Sequence, residues 1–199
     1  MLKSPSPTLI KVSKYLSEIF NPMNSLIIYF IVFSSANFSI EESVRQFLPL
    51  LLLTIIPISF WIIYHVKTKK YTDTDVSDRK QRKGFYFFIA ASILTYLTFV
   101  YLRYERTDFV LIFLLILLIA MQISNYFIKS SMHTALNLFV AALMVTINPL
   151  YGLIWLGITI AVGFSRIVLK RHTRAEVLSG AVISSFVSFI YLYTQIQTQ

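Results

Sequence analysis

The chain has 199 residues, of which 56% are hydrophobic and 14% are charged, and its formal net charge is +9. Soluble domains contain about 25% charged residues, so this composition excludes an ordinary soluble protein and predicts an integral membrane protein. The sequence contains no cysteine, which excludes disulfide bonds and thiolate metal ligands.

The first 21 residues form a basic segment ahead of the first long apolar run. This segment lacks the apolar stretch and the small-residue cleavage site of a signal peptide. We predict instead a short amphipathic helix near Ile10 to Phe20 that lies at the membrane interface. Residues 22–199 are predicted to form a single membrane domain.

Seven apolar segments approach the length of a membrane-spanning helix. A helix needs about 20 residues to cross the hydrocarbon core, because each residue adds about 1.5 Å. We therefore predict an all-α, polytopic helical bundle with about six to seven transmembrane helices. The segments are Pro22–Phe38, Phe47–Val66, Gly84–Leu102, Phe109–Ile128, Met132–Thr146, Leu150–Phe164 and Ala175–Leu192.

The fifth and sixth segments come from one long apolar region that "INPLYG", residues 147–152, interrupts. Asn-Pro favours a turn, and the residue before a proline resists the helical conformation. Both resulting segments are short for a full span, so we expect tilt or local thinning of the bilayer.

Three polar clusters follow the even-numbered segments, at residues 67–83, 129–133 and 165–176. If the segments cross the membrane in turn, all three clusters and the N-terminus emerge on one face. Most lysines and arginines lie on that face, and the positive-inside rule places it in the cytoplasm of a cell-membrane protein. Many of these cations are equally explained as topology signals and lipid-headgroup contacts. The opposite face carries Arg45, Arg103 and Arg106.

The stretch "SRIVLKRHTRAE", residues 165–176, contains a candidate nucleophile. His172 and Glu176 are four residues apart and share one face of a helix that starts near His172. A carboxylate on one imidazole nitrogen raises the basicity of the other, as a nucleophilic histidine requires. Arg166, at the end of the sixth segment, offers a fork of donors that suits phosphate. The alternative is a dipole-stabilising glutamate beside an ordinary interfacial histidine.

The other two clusters add candidate acid and phosphate-binding groups. In "KSSMHTALN", His133 stands at the start of the fifth segment with Ser130 or Ser131 as N-cap, where helix N–H groups attract anions. In "TDTDVSDRKQRKG", Arg79 and Arg82 are three residues apart, with Asp75 and Asp78 available to orient them. For the cluster around His133, the alternative is a capping serine beside an ordinary interfacial histidine. For the cluster around Arg79 and Arg82, the alternative is a solvated charged loop.

These clusters resemble the motifs of the type 2 phosphatidic acid phosphatase superfamily, which is related to the vanadium haloperoxidases. Its third motif, Ser-Arg-x5-His-x3-Asp, is similar to Ser165-Arg166…His172…Glu176, with glutamate for aspartate. Its second, Pro-Ser-Gly-His, is matched in part by residues 130–133, where Met132 replaces glycine. Its first, Lys-x6-Arg-Pro, is matched at Arg82 alone, because Asp75 and Lys83 occupy the flanking positions. The similar region covers about residues 72–193.

The resemblance implies a membrane phosphatase that hydrolyses a phosphatidate-like lipid or a polyprenyl phosphate or diphosphate without a metal or another cofactor. In that case His172 is the nucleophile, Glu176 is its partner and His133 is the leaving-group acid. The phosphate ligands are then Arg166, Arg82, Arg79 and Ser131. A membrane lipid phosphate is the expected partner, and no nucleic acid is expected.

Three alternatives remain open at this point. The departures from the first two motifs allow a non-catalytic protein of the same fold that binds a lipid or a protein partner. A phosphotransferase would form the same covalent intermediate and pass the phosphoryl group to an acceptor other than water. A small transporter is less favoured, because transporters place polar groups near the bilayer midplane and the polar groups here cluster at one surface.

Overall fold

In the computed structural model, the described residues are 5–76 and 78–198, and they form α-helices without any strand. The all-α prediction is therefore confirmed, and helix covers most of each of the seven predicted apolar segments. A π-helical turn at Leu51–Ile55 joins the helix that ends at Leu50 to the helix that begins at Ile56. The helices are α1 Pro7–Ile19, α2 Pro22–Asn37, α3 Ile40–Leu50, α4 Ile56–Lys67, α5 Arg79–Tyr104, α6 Phe109–Ser124, α7 Met132–Ile147, α8 Pro149–Val168 and α9 Arg174–Thr198.

Among the described residues, four helical stretches are long and apolar enough to cross a membrane, judged by length and composition. They are Ile40–Lys67, which combines α3 and α4, then α5, α8 and α9. The pair α1 and α2, bent by 56°, makes a fifth if it is one span. The six to seven predicted spans also counted α6 and α7, which are apolar but only 16 residues long and so fall below the usual spanning length.

The helices form two compact units, residues 1–36 with 128–199 and residues 37–127. In the first unit, α7 packs against both α8 and α9, and α1 packs against α8. In the second unit, α5 packs against α6 and against the π-helical turn. A single membrane domain over residues 22–199 stays a prediction.

The predicted N-terminal helix is present as α1, and it begins at Pro7, where the Ser6 side chain caps it. Ser13 and Ser17 of this helix are buried, and Ser17 accepts a hydrogen bond from Arg166 of α8. One face of α1 is therefore fixed to the first unit. Its position at a membrane interface stays a prediction.

The predicted break between the fifth and sixth segments is confirmed at Asn148, whose side chain accepts a hydrogen bond of 2.8 Å from the Leu150 amide and caps α8. After this break, α8 turns back along α7. Gly152 permits the close approach, because a Cβ there would overlap the Val145 side chain and lie 3.1 Å from the Ala141 carbonyl oxygen. The end of α8 thus returns to the start of α7, where the candidate site lies.

A buried amide fixes the start of α7. The Asn137 side chain accepts hydrogen bonds from Ser25 at 2.9 Å and from the Trp155 indole at 3.2 Å. It donates to the carbonyl oxygens of Phe20 and His133, at 2.9 and 2.8 Å. These four bonds offset the cost of burying the amide, and they tie α7 to α2, to α8 and to the end of α1.

Candidate active site

His172 and Glu176 are in contact, as the sequence predicts. The Glu176 carboxylate lies 3.0 Å from Nδ1 of His172. The same carboxylate oxygen accepts a hydrogen bond from the Thr173 amide at 2.9 Å, and the Thr173 hydroxyl accepts one from the Glu176 amide at 3.2 Å. These reciprocal bonds form a capping box. The helix α9 therefore begins just after His172, at Arg174, and its cap holds the carboxylate against the imidazole.

A tight turn after α8 places His172. Lys170 has a left-handed backbone with φ of 54°. The Arg166 carbonyl oxygen then accepts hydrogen bonds from the Arg171 amide at 3.0 Å and from the His172 amide at 3.3 Å. The five residues between Arg166 and His172 thus form the turn that brings the histidine backbone back to the end of α8.

A surface cavity of about 390 Å³, open over much of its extent, lies beside the histidine. Its wall contains three cations and one carboxylate, so its formal charge is +2 when the imidazole is neutral. An anionic group is attracted to such a wall. The lining residues are Lys129, Ile167, Lys170, Arg171, His172, Thr173 and Glu176.

The start of α7 is joined to α9 beside this cavity. Ser131 caps α7, as predicted, and its hydroxyl accepts a hydrogen bond from the Thr134 amide at 3.4 Å. The Ser131 amide donates to the Glu176 carbonyl oxygen at 2.9 Å, and the hydroxyls of Ser130 and Ser179 are 2.5 Å apart. The structure therefore brings together the regions that resemble the second and third motifs.

Three of the predicted site residues are buried. Ser131 is fully buried, Arg166 is 2% exposed and His133 is 6% exposed, while His172, which lines the cavity, is itself only 5% exposed. The guanidinium of Arg166 donates a hydrogen bond of 2.7 Å to Ser17. Among the described residues that line the cavity, none of these three is found. The expected cluster of His133, Arg166 and His172 around one phosphate stays a prediction.

The two arginines of the first predicted cluster belong to the second unit and contact backbone carbonyl oxygens. Arg79 donates a hydrogen bond of 2.6 Å to Asn125, and Arg82, which is buried, donates one of 2.9 Å to Val76. The Asp78 side chain, expected to orient these arginines, caps α5 by accepting from the Lys80 and Gln81 amides. Phosphate binding by Arg79 and Arg82 stays a prediction.

No protein-family model, curated protein or solved structure matches this chain. The resemblance to the phosphatase superfamily therefore depends on the motif residues themselves.

Sequence reasoning missed the three cations that line the cavity, because it treated them as topology signals. Lys170 and Arg171 directly precede His172, and Lys129 directly precedes Ser130. Adjacency to the two motif segments was the available signal. It is weak, because a cation next to a motif residue in sequence can point to the opposite side of the turn.

Proposed function

We propose that this chain is a membrane phosphatase that hydrolyses an amphiphilic phosphate through a phosphohistidine at His172. The substrate classes are phosphatidate-like lipids and polyprenyl phosphates or diphosphates. The observation that supports this function best is the pair of His172 and Glu176 beside a cationic cavity. The Glu176 carboxylate favours the tautomer with its proton on Nδ1, so the other ring nitrogen, Nε2, is the nucleophile.

The proposed reaction has two displacements at phosphorus. In the first, Nε2 of His172 forms a bond to phosphorus while the bond from phosphorus to the lipid oxygen breaks. The departing oxygen takes a proton from a general acid, for which we propose His133. In the second, water attacks phosphorus while His133 takes a proton from it, the phosphorus–nitrogen bond breaks, and phosphate leaves with both histidines restored.

A phosphotransferase would share the first displacement and differ only in the acceptor of the second. A non-catalytic lipid-binding protein of the same fold is the second candidate function. It is favoured by the internal contacts of Arg166 with Ser17 and of Ser131 with Glu176, and by Met132, which stands where the motif has glycine.

Turnover by the purified full-length chain distinguishes these functions. Phosphatidate, a polyprenyl phosphate and a polyprenyl diphosphate are each supplied in mixed micelles, with and without a chelator, and released phosphate is measured. Radiolabelled substrate followed by an alkaline quench preserves a phosphohistidine for detection. A phosphatase releases phosphate and carries the label transiently, and a chelator leaves the rate unchanged. A lipid-binding protein gives neither signal with any substrate.

Replacing Glu176 with glutamine is expected to lower the hydrolysis rate about 10- to 100-fold, because a neutral amide supports the imidazole less well. Glu176→Asp restores the acid of the motif, but its shorter side chain has to reach both the Thr173 amide and His172. We therefore expect a lower rate for this variant too. The measurement is phosphate release at saturating lipid. Glu18→Gln, on exposed α1 surface, is the matched control, and a Glu176→Gln variant with wild-type turnover contradicts the proposed role.

We also propose that the chain resides in the cell membrane with His172 on the cytoplasmic side, because most of its cations lie in segments assigned to that face. The two ends of α8, a candidate span, provide a test, since the native sequence has no cysteine. A membrane-impermeant thiol reagent applied to intact cells is expected to label Pro149→Cys and to spare Lys170→Cys until the cells are opened. The reverse pattern puts the site outside, and equal labelling of both ends argues against α8 as a span.

A further inference from the structure

We propose that Lys129, Lys170 and Arg171 recognise the phosphate group at the His172 cavity and select a dianionic phosphate monoester over a phosphodiester. This assignment rests on the proposed function for the identity of the substrate, although binding itself does not require turnover. None of the three residues occupies a specified position of the family motifs, because Lys170 and Arg171 lie in the x5 stretch of the third motif and Lys129 precedes the second. Each lines the same cavity as His172 and Glu176.

Arg166 and the Ser131 amide are buried and already hydrogen-bonded, so the three cations of the cavity wall are the groups available to bind phosphate. Arg166 is 2% exposed and its guanidinium contacts Ser17 at 2.7 Å. The Ser131 amide, which a phosphate at the start of α7 would need, donates to Glu176 at 2.9 Å. A ligand that enters the cavity therefore meets the side chains of its wall before it meets either of these groups.

The backbone of the turn positions two of the cations. Lys170 has φ of 54°, a conformation that disfavours residues with a Cβ. The turn is closed by hydrogen bonds of 3.0 Å from the Lys170 amide to Ile167 and from the Arg171 amide to Arg166. These bonds fix the backbone of Lys170 and Arg171 beside His172, on the wall of the cavity.

Charge balance indicates the class of ligand. The wall has a formal charge of +2, from three cations and one carboxylate. A phosphate monoester carries up to two negative charges near neutral pH, whereas a phosphodiester carries one. Charge-assisted hydrogen bonds from lysine and arginine favour the more highly charged group, so the cavity is matched to a terminal phosphate and not to the diester of an ordinary phospholipid.

Protection from chemical modification measures binding without turnover. The full-length protein in detergent is treated with an amine-acetylating reagent, and acetylation at each lysine is quantified by mass spectrometry. The probes are inorganic phosphate, phosphatidylcholine vesicles with phosphatidate, and phosphatidylcholine vesicles with phosphatidylglycerol. We expect inorganic phosphate and phosphatidate to protect Lys129 and Lys170, and phosphatidylglycerol to protect them much less. Lys11, exposed on α1, is the internal control and stays reactive throughout.

Substitutions test the contribution of each cation. Lys129→Gln, Lys170→Asn and Arg171→Gln are each expected to weaken phosphate binding about tenfold, read from protection of the remaining lysines. Asparagine tolerates the left-handed backbone, so Lys170→Asn removes charge without straining the turn. Lys69→Asn is its matched control, because Lys69 has φ of 58° and does not line the cavity. Arg174→Gln, exposed at the start of α9, is the control for Arg171.

The outcomes separate this inference from the proposed function. Weaker binding in the three variants, together with turnover of a lipid phosphate by the unsubstituted protein, supports both. Weaker binding without any turnover of a lipid phosphate supports the recognition site and contradicts the phosphatase. Protection by phosphatidate but not by inorganic phosphate supports a lipid headgroup as the ligand, and the converse supports a free phosphate. Wild-type binding in all three variants, or equal protection by phosphatidylglycerol and phosphatidate, overturns the inference.

Discussion

Replacing His172 with alanine is expected to lower the rate of lipid-phosphate hydrolysis by about a thousandfold or more, which is a usual result of removing a nucleophile. The imidazole contacts Glu176 at 3.0 Å and lines the cationic cavity. No other described residue on the cavity wall is a histidine. The lysines and the threonine of the wall are poor substitutes for this nucleophile, because none of them has an imidazole nitrogen that a carboxylate supports.

The same variant is expected to remain folded. His172 precedes α9, and the capping box of Thr173 and Glu176 that starts this helix does not include the imidazole. His172 is buried, so removing the ring enlarges the cavity at some cost in stability, but the capping box that starts α9 remains. Thermal unfolding of the protein in detergent checks this point, with Arg174→Ala as an exposed neighbour for comparison.

Phosphoenzyme trapping decides between a nucleophilic and a merely structural histidine. The wild type should carry alkali-stable label after a short reaction with radiolabelled substrate, and His172→Ala should carry none. A folded His172→Ala protein that keeps its full rate rejects the phosphohistidine. In that case lipid binding without catalysis becomes the better account of the cavity.

Replacing Gly180 with alanine is expected to destabilise the first unit by about 1–3 kcal/mol, which is typical of overpacking a tight contact. A Cβ at this position would lie 2.6 Å from the Ser131 carbonyl oxygen and 3.2 Å from the Ser131 amide nitrogen. Both are backbone atoms at the start of α7, so a side-chain rotation cannot relieve the clash. The start of α7 and α9 have to separate.

This separation should also reduce turnover. It stretches the hydrogen bond of 2.9 Å from the Ser131 amide to the Glu176 carbonyl oxygen, and Glu176 is the residue that orients His172. We expect lower thermal stability and a lower rate of phosphate release, measured on the same preparation. The rate loss should exceed what the unfolded fraction explains.

Gly157 is the matched control for this substitution. It also lies in a helix, and a Cβ there would meet nothing within 4 Å. Alanine is favoured over glycine in a helix interior by about 0.5–1 kcal/mol. Gly157→Ala should therefore be neutral or stabilising with unchanged turnover. Equal stability of the two alanine variants would show that α7 and α9 are not in close contact at Gly180.

Local chemistry explains why much of the fold and part of the site follow from sequence. The apolar runs and the Asn148–Pro149 break determine where most helices lie, because helix formation and capping involve residues a few positions apart. The contact between His172 and Glu176 is equally local. The helix start near His172 was predicted as well, and the capping box places its N-cap at Thr173.

Only the tertiary structure determined which polar groups reach the cavity. Arg166 contacts Ser17 on a helix at the other end of the chain, and Ser131 contacts Glu176 on α9. A motif written as residue spacings contains no information on such partners. The cations Lys129, Lys170 and Arg171 were indistinguishable from topology signals in the sequence. They are candidate phosphate ligands because the turn after α8 and the start of α7 place them on the wall of one cavity. The packing of helices that are distant in sequence determines that placement.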